Sequence, residues 1–167
     1  MQEAPGTKET PKEKTCCVAG HSDIPTGDME FVREQLRRKI GEAIEGGWLY
    51  FLSDFTEGTG QFFAEAVAEA QRGNDAIRLE AVLPYRGRHA ELLDDEACKP
   101  LLSACAEVNF SGEEDTPECR AANRREQLRR SSRMILVYDG REGGGTFESI
   151  RMGHDHRITI REIPLGL

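Results

Sequence analysis

The sequence predicts an α/β fold of three layers, with a mostly parallel sheet and helices on both faces. Three observations predict it. Short apolar runs without polar alternation recur along the chain, as strands buried on both faces require. Segments with apolar side chains at helical spacing separate them, and the connecting turns are short and glycine-rich.

Residues 1–14 hold three Glu, three Lys and two Pro with little to bury, so a disordered tail is expected there and one domain over 15–167. Thr15 to Gly20 reads as the first buried strand. Asp28 is placed to cap a helix carrying Val32, Leu36, Ile40, Ala43 and Ile44 on one stripe, stopped by Gly46-Gly47. Trp48 to Leu52 is the second strand. Thr59 is the candidate cap of a helix that buries Phe63, Ala66, Val67 and Ala70 and ends at Gly73-Asn74. Ile77 to Leu83 is the third strand, closed by Pro84. A helical stretch from His89 to Cys105, broken near Pro100, precedes a short strand at Val108 to Phe110. Thr116-Pro117-Glu118 opens a helix with a hydroxyl cap, a proline at the first position and an acid in the first turn. Met134 to Tyr138 is a strand, and Phe147, Ile150 and Met152 mark the last helix. Arg157 to Arg161 alternates polar with apolar, as an edge strand does.

Composition bounds the function. A chain of 167 residues, 38% apolar and 31% charged, is one globular domain. Thirty acids against 22 bases give a net charge of −8. That sign disfavours a nucleic-acid binder working through backbone phosphates. No apolar run approaches the ~18–20 residues of a membrane span, and the polar start carries no secretory signature. A cytoplasmic location and no membrane partner are therefore expected. The five cysteines include one adjacent pair and no Cys-x-x-Cys spacing, which predicts reduced thiols and no metal centre. His154-Asp155-His156 reads as a polar turn, since three adjacent residues cannot all point inward in regular structure and no further ligand cluster lies nearby in sequence. Oligomeric state stays open.

Right-handed parallel crossovers place the strand carboxyl ends on one rim, and ligands of such sheets sit where strand order reverses. Four turns reach that rim. In the turn from Tyr138 to Thr146, the consecutive Gly143, Gly144 and Gly145 leave backbone amides uncovered. With Thr146 they open a helix whose dipole favours an anion; the alternative is a tight strand-to-helix turn. In the turn from Ser53 to Gly60, Gly58 suits close approach, and Ser53 or Thr59 can donate to phosphate oxygens. Asp54 and Glu57 beside them suit ribose hydroxyls, or stay solvated. Gly20-His21 ends the first strand, with His21 either a ligand group or a turn cap. Tyr85 and Arg86 offer a stacking ring and a guanidinium, or simply follow a proline stop.

Charge is lopsided along the chain. Nine acids face Lys99 alone between Glu91 and Glu118, and six arginines face Glu126 alone between Arg120 and Arg133. Arg125, Arg129 and Arg133 fall near one helical face, where they are expected to neutralise the acidic stretch rather than serve a ligand. No Gly-x-Ser-x-Gly, Gly-x-Gly-x-x-Gly or Walker lysine loop occurs.

Taken together, these turns resemble the YpsA-like branch of the SLOG superfamily, Rossmann-like proteins related to the Smf/DprA and LOG families. Ala19-Gly20-His21 resembles its Thr-Gly-His-Arg signature. Ser53 through Glu65 resembles its Ser-Gly-x-x-x-Gly-x-Asp-x-x-x-Ala-Glu segment at Ser53, Gly58, Ala64 and Glu65. Val137-Tyr138-Asp139-Gly140 and Gly144-Gly145-Thr146 resemble its closing elements, in the same order along Thr15 to Pro164. The chain departs from the pattern at Ser22 for arginine, Asp54 for glycine and Gly60 for aspartate, and Asn123-Arg124 only echoes an Arg-Asn pair. The resemblance implies a Rossmann-like fold with a site for a nucleotide or nucleotide-derived ligand, and phosphate on the Gly-Gly-Thr turn.

The function expected is therefore non-catalytic binding or sensing of such a ligand. Gly20, His21, Ser53, Gly58, Thr59, Asp139, Gly143, Gly144, Gly145 and Thr146 are its candidate site, and no cofactor is required. One alternative is a LOG-like nucleoside monophosphate phosphoribohydrolase. Against it, the family's acid falls three residues after the threonine, where Ser149 stands, and Glu148 is one position short; that shift rotates a helical side chain by ~100°. The other alternative is a protein-interaction module on a decayed nucleotide-binding fold.

Overall fold

The computed structural model describes residues 10–166. Strands β1 (Thr15–Gly20), β2 (Tyr50–Ser53), β3 (Arg78–Leu83), β4 (Cys105–Phe110), β5 (Arg133–Tyr138) and β6 (Thr159–Pro164) form one sheet in the order β4-β3-β2-β1-β5-β6. Every neighbouring pair is parallel. Between the strands run α1 (Met29–Glu45), α2 (Thr59–Gly73), α3 (Arg86–Leu93), α4 (Lys99–Ala104), α5 (Pro117–Arg129) and α6 (Gly144–Asp155). This is the three-layer α/β fold that the alternating pattern predicts.

Period-2 geometry sorts each strand's side chains between two cores. Cys16, Val18, Phe51, Leu79, Ala81, Leu83, Ile135 and Val137 pack under α1, α2 and α4 in the larger one. Their immediate neighbours Cys17, Leu52, Val82 and Met134 pack with Leu128 of α5 in the smaller. A strand with a layer on each side buries both faces, which is why these runs read as largely apolar, with Glu80 of β3 a charged exception.

β4 begins at Cys105 rather than Val108, and β6 spans Thr159–Pro164 rather than Arg157 to Arg161; three further differences from the sequence expectation have a local reason. Trp48 and Leu49 do not begin β2, because Trp48 N donates to Ala43 O and Gly47 N to Ile44 O. With Gly47 at φ +102°, these bonds close α1 in a Schellman cap. Trp48 then lies flat on the Arg133 guanidinium at 4.0 Å. Pro100 starts a helix rather than breaking one, as a residue in the first turn of α4. The break lies before it, where Asp95 Oδ1 accepts from the amides of Ala97 and Cys98. Thr59 is the first helical residue of α2, and Gly58 at φ +77° takes the cap position. Thr116 caps α5 as expected, accepting from Cys119 N at 3.1 Å.

Residues 1–9 of the expected tail lie outside the described residues, and Lys12–Lys14 form a 3₁₀ turn leading into β1. Among the described residues no helix is long and apolar enough to cross a membrane, and the five cysteines are free thiols.

One buried ion pair sets the position of α5. Arg130, at its C-terminus, donates from Nη1 to Glu80 Oε2 at 2.5 Å and from Nη2 to Glu80 Oε1 at 2.8 Å. Asn109 Nδ2 adds a bond to the same carboxylate at 2.9 Å. Arg130→Ala strands the Glu80 charge in the interior, so chemical denaturation should show a loss of about 3–5 kcal/mol. A loss under about 1 kcal/mol would mean that water already reaches Glu80.

Candidate functional site

Strand order reverses between β1 and β5. Their carboxyl ends open a cleft of about 420 Å³, the place where α/β sheets hold ligands.

The turn after β5 forms one wall. Gly143 sits at φ +90° ahead of α6, and Gly144 follows at φ +85°, values that only glycine adopts without strain. Nothing lies within 4 Å of where a Cβ would stand on either. No side chain caps α6, so its first amides are left for water or a ligand. Thr146 and Ser149, both buried polar residues of the next turn, line the cleft behind them.

The second wall is a face of α5. Arg120, Asn123, Arg124 and Gln127, at i, i+3, i+4 and i+7, all line the cleft. Arg120 is held away from a ligand by Asp115, with bonds of 2.7 and 3.0 Å. Arg124 is different. Among the described residues no carboxylate pairs with it, and its buried Nε has no hydrogen-bond partner. A Cβ on Gly145 would lie 3.0 Å from its Nη1, so the guanidinium rests over the start of α6. Burial lowers its pKa, with Glu148 and Asp54 acting the other way, and an arginine stays charged regardless.

Amide orientations on this face follow from the backbone. Asn123 Nδ2 donates to Val82 O at 2.7 Å, which turns its Oδ1 toward Gln127. Gln127 Nε2 donates to that oxygen at 2.9 Å. Gln127 Oε1 is thereby left buried without a donor.

The end of β1 forms the third wall. A Cβ on Gly20 would come 2.4 Å from the Thr59 side chain, so only glycine lets α2 approach here. Thr59 Oγ1 donates to His21 O at 2.9 Å. The His21 ring is 5% exposed and stacks on Tyr138 at 5.8 Å between centroids. Its Nε2 lies 3.2 Å from the Asp139 amide and 3.1 Å from Asp139 Oδ1. A proton on Nε2 makes the carboxylate bond, and one on Nδ1 makes the amide bond. Arg141 bridges Asp139 and Asp23 at 2.7 and 3.0 Å, tying the β5 turn to the β1 turn. That contact holds the Asp139 carboxyl well below its ordinary range. Cys17 also faces the cleft, but burial pushes its thiol up to about 12, which leaves it protonated and a poor nucleophile.

Six of the expected site residues line the cleft: Gly20, His21, Gly143, Gly144, Gly145 and Thr146. Asp139 stands behind His21. Ser53, Gly58 and Thr59 do not line it; they build the loop that braces His21. Ser53 Oγ donates to Gly60 O and accepts from Phe55 N, at 2.8 and 3.1 Å. Gly58 leaves room for Ser22 O, which a Cβ would meet at 2.9 Å. Tyr85 bonds to Glu91 and Arg86 to Glu113. Arg129 pairs with Glu126, and Arg133 lies under Trp48. The arginine that lines the cleft with no carboxylate partner among the described residues is Arg124, one position from the face singled out by charge counting. Its signal was the polar stripe Arg120, Asn123, Arg124, Gln127, at core spacing in a helix whose buried apolar side chain is Leu128.

His21 gives a pH test. Burial lowers its pKa below 6.5, partly offset by Asp139. The folded state thus binds this proton less readily than the unfolded chain. The ring's stability contribution is complete above pH 6.5 and is lost as pH falls through the folded-state value. An NMR titration should place the His21 midpoint below 6.5; a midpoint above it would show Asp139 prevailing over burial.

No protein-family model matches the chain, and no curated protein matches its sequence. Solved structures do match its fold. DNA processing protein A from Helicobacter pylori, which binds single-stranded DNA, superposes with a TM-score of 0.62 at 13% identity, over 93% of this chain and 67% of that one. TM1055, a structural-genomics target, superposes with a TM-score of 0.57 at 16% identity, over 88% of this chain and 72% of that one. These likenesses show the three-layer α/β, Rossmann-like fold. They also correct the expectation that nucleic acid is disfavoured, since a single-stranded DNA binder shares this fold. Net charge sums over the whole surface, whereas phosphate is read locally by amides and a guanidinium.

Proposed function

We propose that the chain binds, without turning it over, a nucleotide or nucleotide-derived ligand across the ends of β1 and β5. Phosphate rests on the amides of Gly143 to Thr146 with Arg124 above, and His21 borders the far side. One observation carries this reading: a half-buried guanidinium, its Nε buried without a hydrogen-bond partner and with no carboxylate pair among the described residues, lies over an uncapped glycine turn. An unpaired charge in that position is costly unless an anion joins it. The glycine turn adds amide donors and the positive end of a helix dipole.

The reading places the chain in the YpsA-like branch, on the strength of Gly20-His21 and Gly144-Gly145-Thr146 meeting at one cleft. Its free thiols suit the cytoplasm. Binding rather than hydrolysis is favoured by the helix after the turn. Ser149 faces the cleft, while Glu148 bonds to Arg151 at 3.3 Å on the surface. The position at which LOG-type enzymes carry their acid thus holds a hydroxyl.

A thermal-shift screen with nucleotides, nucleotide sugars and a single-stranded oligonucleotide tests the site. A ligand at ~100 times its dissociation constant adds about 2.7 kcal/mol, roughly 5–10 °C for a chain of this size. Gly145→Val should abolish that shift with little loss of folding, because the new side chain enters the space of Arg124 Nη1. An undiminished shift in that variant would refute the placement of the phosphate.

A further inference from the structure

Resting on that reading of the phosphate site, a second observation concerns the other end of the cleft. The resembled motif carries glycine at position 54 and aspartate at position 60, and this chain carries Asp54 and Gly60. Either substitution alone looks like decay. In three dimensions they are one change. A Cβ built on Gly60 would stand 2.7 Å from Asp54 Oδ1. A side chain growing from position 60 would enter the volume that the Asp54 carboxylate occupies here, so the two compete for one space and Asp54 would have to leave its place.

The carboxylate that results faces the cleft. Thr56 is its hydrogen-bond donor, through the amide at 2.9 Å and the hydroxyl, and no arginine or lysine pairs with it among the described residues. A carboxylate accepts about four hydrogen bonds, so capacity remains. The cleft holds a second acceptor in Gln127 Oε1, which is buried, unpartnered and fixed in orientation by Asn123. Acceptors without donors are uncommon in native interiors. Gln127 Oε1 is one such acceptor, and Asp54 in the same cleft has accepting capacity beyond Thr56, so the cleft suits a ligand that donates.

We infer that Asp54 and Gln127 read a neutral hydrogen-bond donor on the phosphate-bearing ligand, a sugar hydroxyl or an amino group. Asp54 supplies from position 54 the carboxylate that the resembled motif supplies from position 60. A negative oxygen there also rejects a second phosphate, so the ligand keeps its anionic part at the Gly143 turn and its donor-rich part at Asp54. The pairing makes Asp54 a specificity-determining residue.

Calorimetry with inorganic phosphate, ribose 5-phosphate and adenosine 5′-monophosphate tests this in four variants. The wild-type protein should hold at least one organic phosphate about tenfold or more tighter than inorganic phosphate, the worth of a hydrogen bond to a charged group. Tightening by ribose 5-phosphate identifies a hydroxyl donor, and tightening by the nucleotide alone identifies a base amino group. Asp54→Asn and Asp54→Gly should bring the ratio toward one. Gly60→Asp alone should lower the melting temperature, because it collides with Asp54. Asp54→Gly with Gly60→Asp should restore both melting temperature and ratio, with Phe55 yielding the few tenths of an ångström that its backbone, 3.1 Å from the new Cβ, requires. A ratio unchanged by Asp54→Asn, or a double variant no better than Asp54→Gly, overturns the inference while leaving the phosphate site standing. Failure of every phosphate probe to bind the wild-type protein overturns both.

Discussion

The cleft exists because the chain leaves β1 and β5 toward opposite faces of one parallel sheet. From β1 it passes through α1 to β2, and from β5 through α6 to β6, on the other side of β1. No connection covers the rim between these two strands. A turn carried by each then faces the same opening. The rest of the site is a consequence. The His21 turn and the Gly143 turn are more than a hundred residues apart in sequence, yet they touch through Asp139 and Arg141.

Charge in this molecule works by local pairing. Among the described residues, the expected neutralisation of the acidic stretch by the arginine cluster is limited to Asp115 with Arg120; Glu113 takes Arg86, and Arg129 pairs with Glu126 inside its own cluster. Glu80 takes Arg130 in the interior and thereby anchors α5. Within the cleft, Arg124 has no carboxylate pair among the described residues and lies over amides that also need an acceptor. A net charge of −8 therefore says little about the cleft, where Arg124 and Asp54 each lack an ion-pair partner among the described residues.

The loop between β2 and α2 shows how a sequence motif divides between structure and chemistry. Ser53, Gly58 and Thr59 resemble the family pattern and serve as a brace, their polar groups spent on Gly60, Phe55 and His21. Asp54 departs from the pattern and faces the cleft. A matching letter here marks a backbone requirement, and the mismatch marks the group that can meet a ligand.

Sequence alone determined the layered architecture, the order of elements and the glycine turn ahead of α6, because apolar runs, helical stripes and glycine clusters are local records of burial and backbone angle. It also placed Gly20, His21 and Thr146 on the rim, since strand ends are legible from where apolar runs stop. The sequence did not show that Trp48 belongs to a helix cap, because that depended on two hydrogen bonds back into α1. Nor did it single out Arg124 among six neighbouring arginines, or couple Asp54 to Gly60. Those assignments depend on which side chains lack partners and which volumes coincide. Such facts are set by the packing of α5 against β3 and of α2 against β1, and only the tertiary structure decides them.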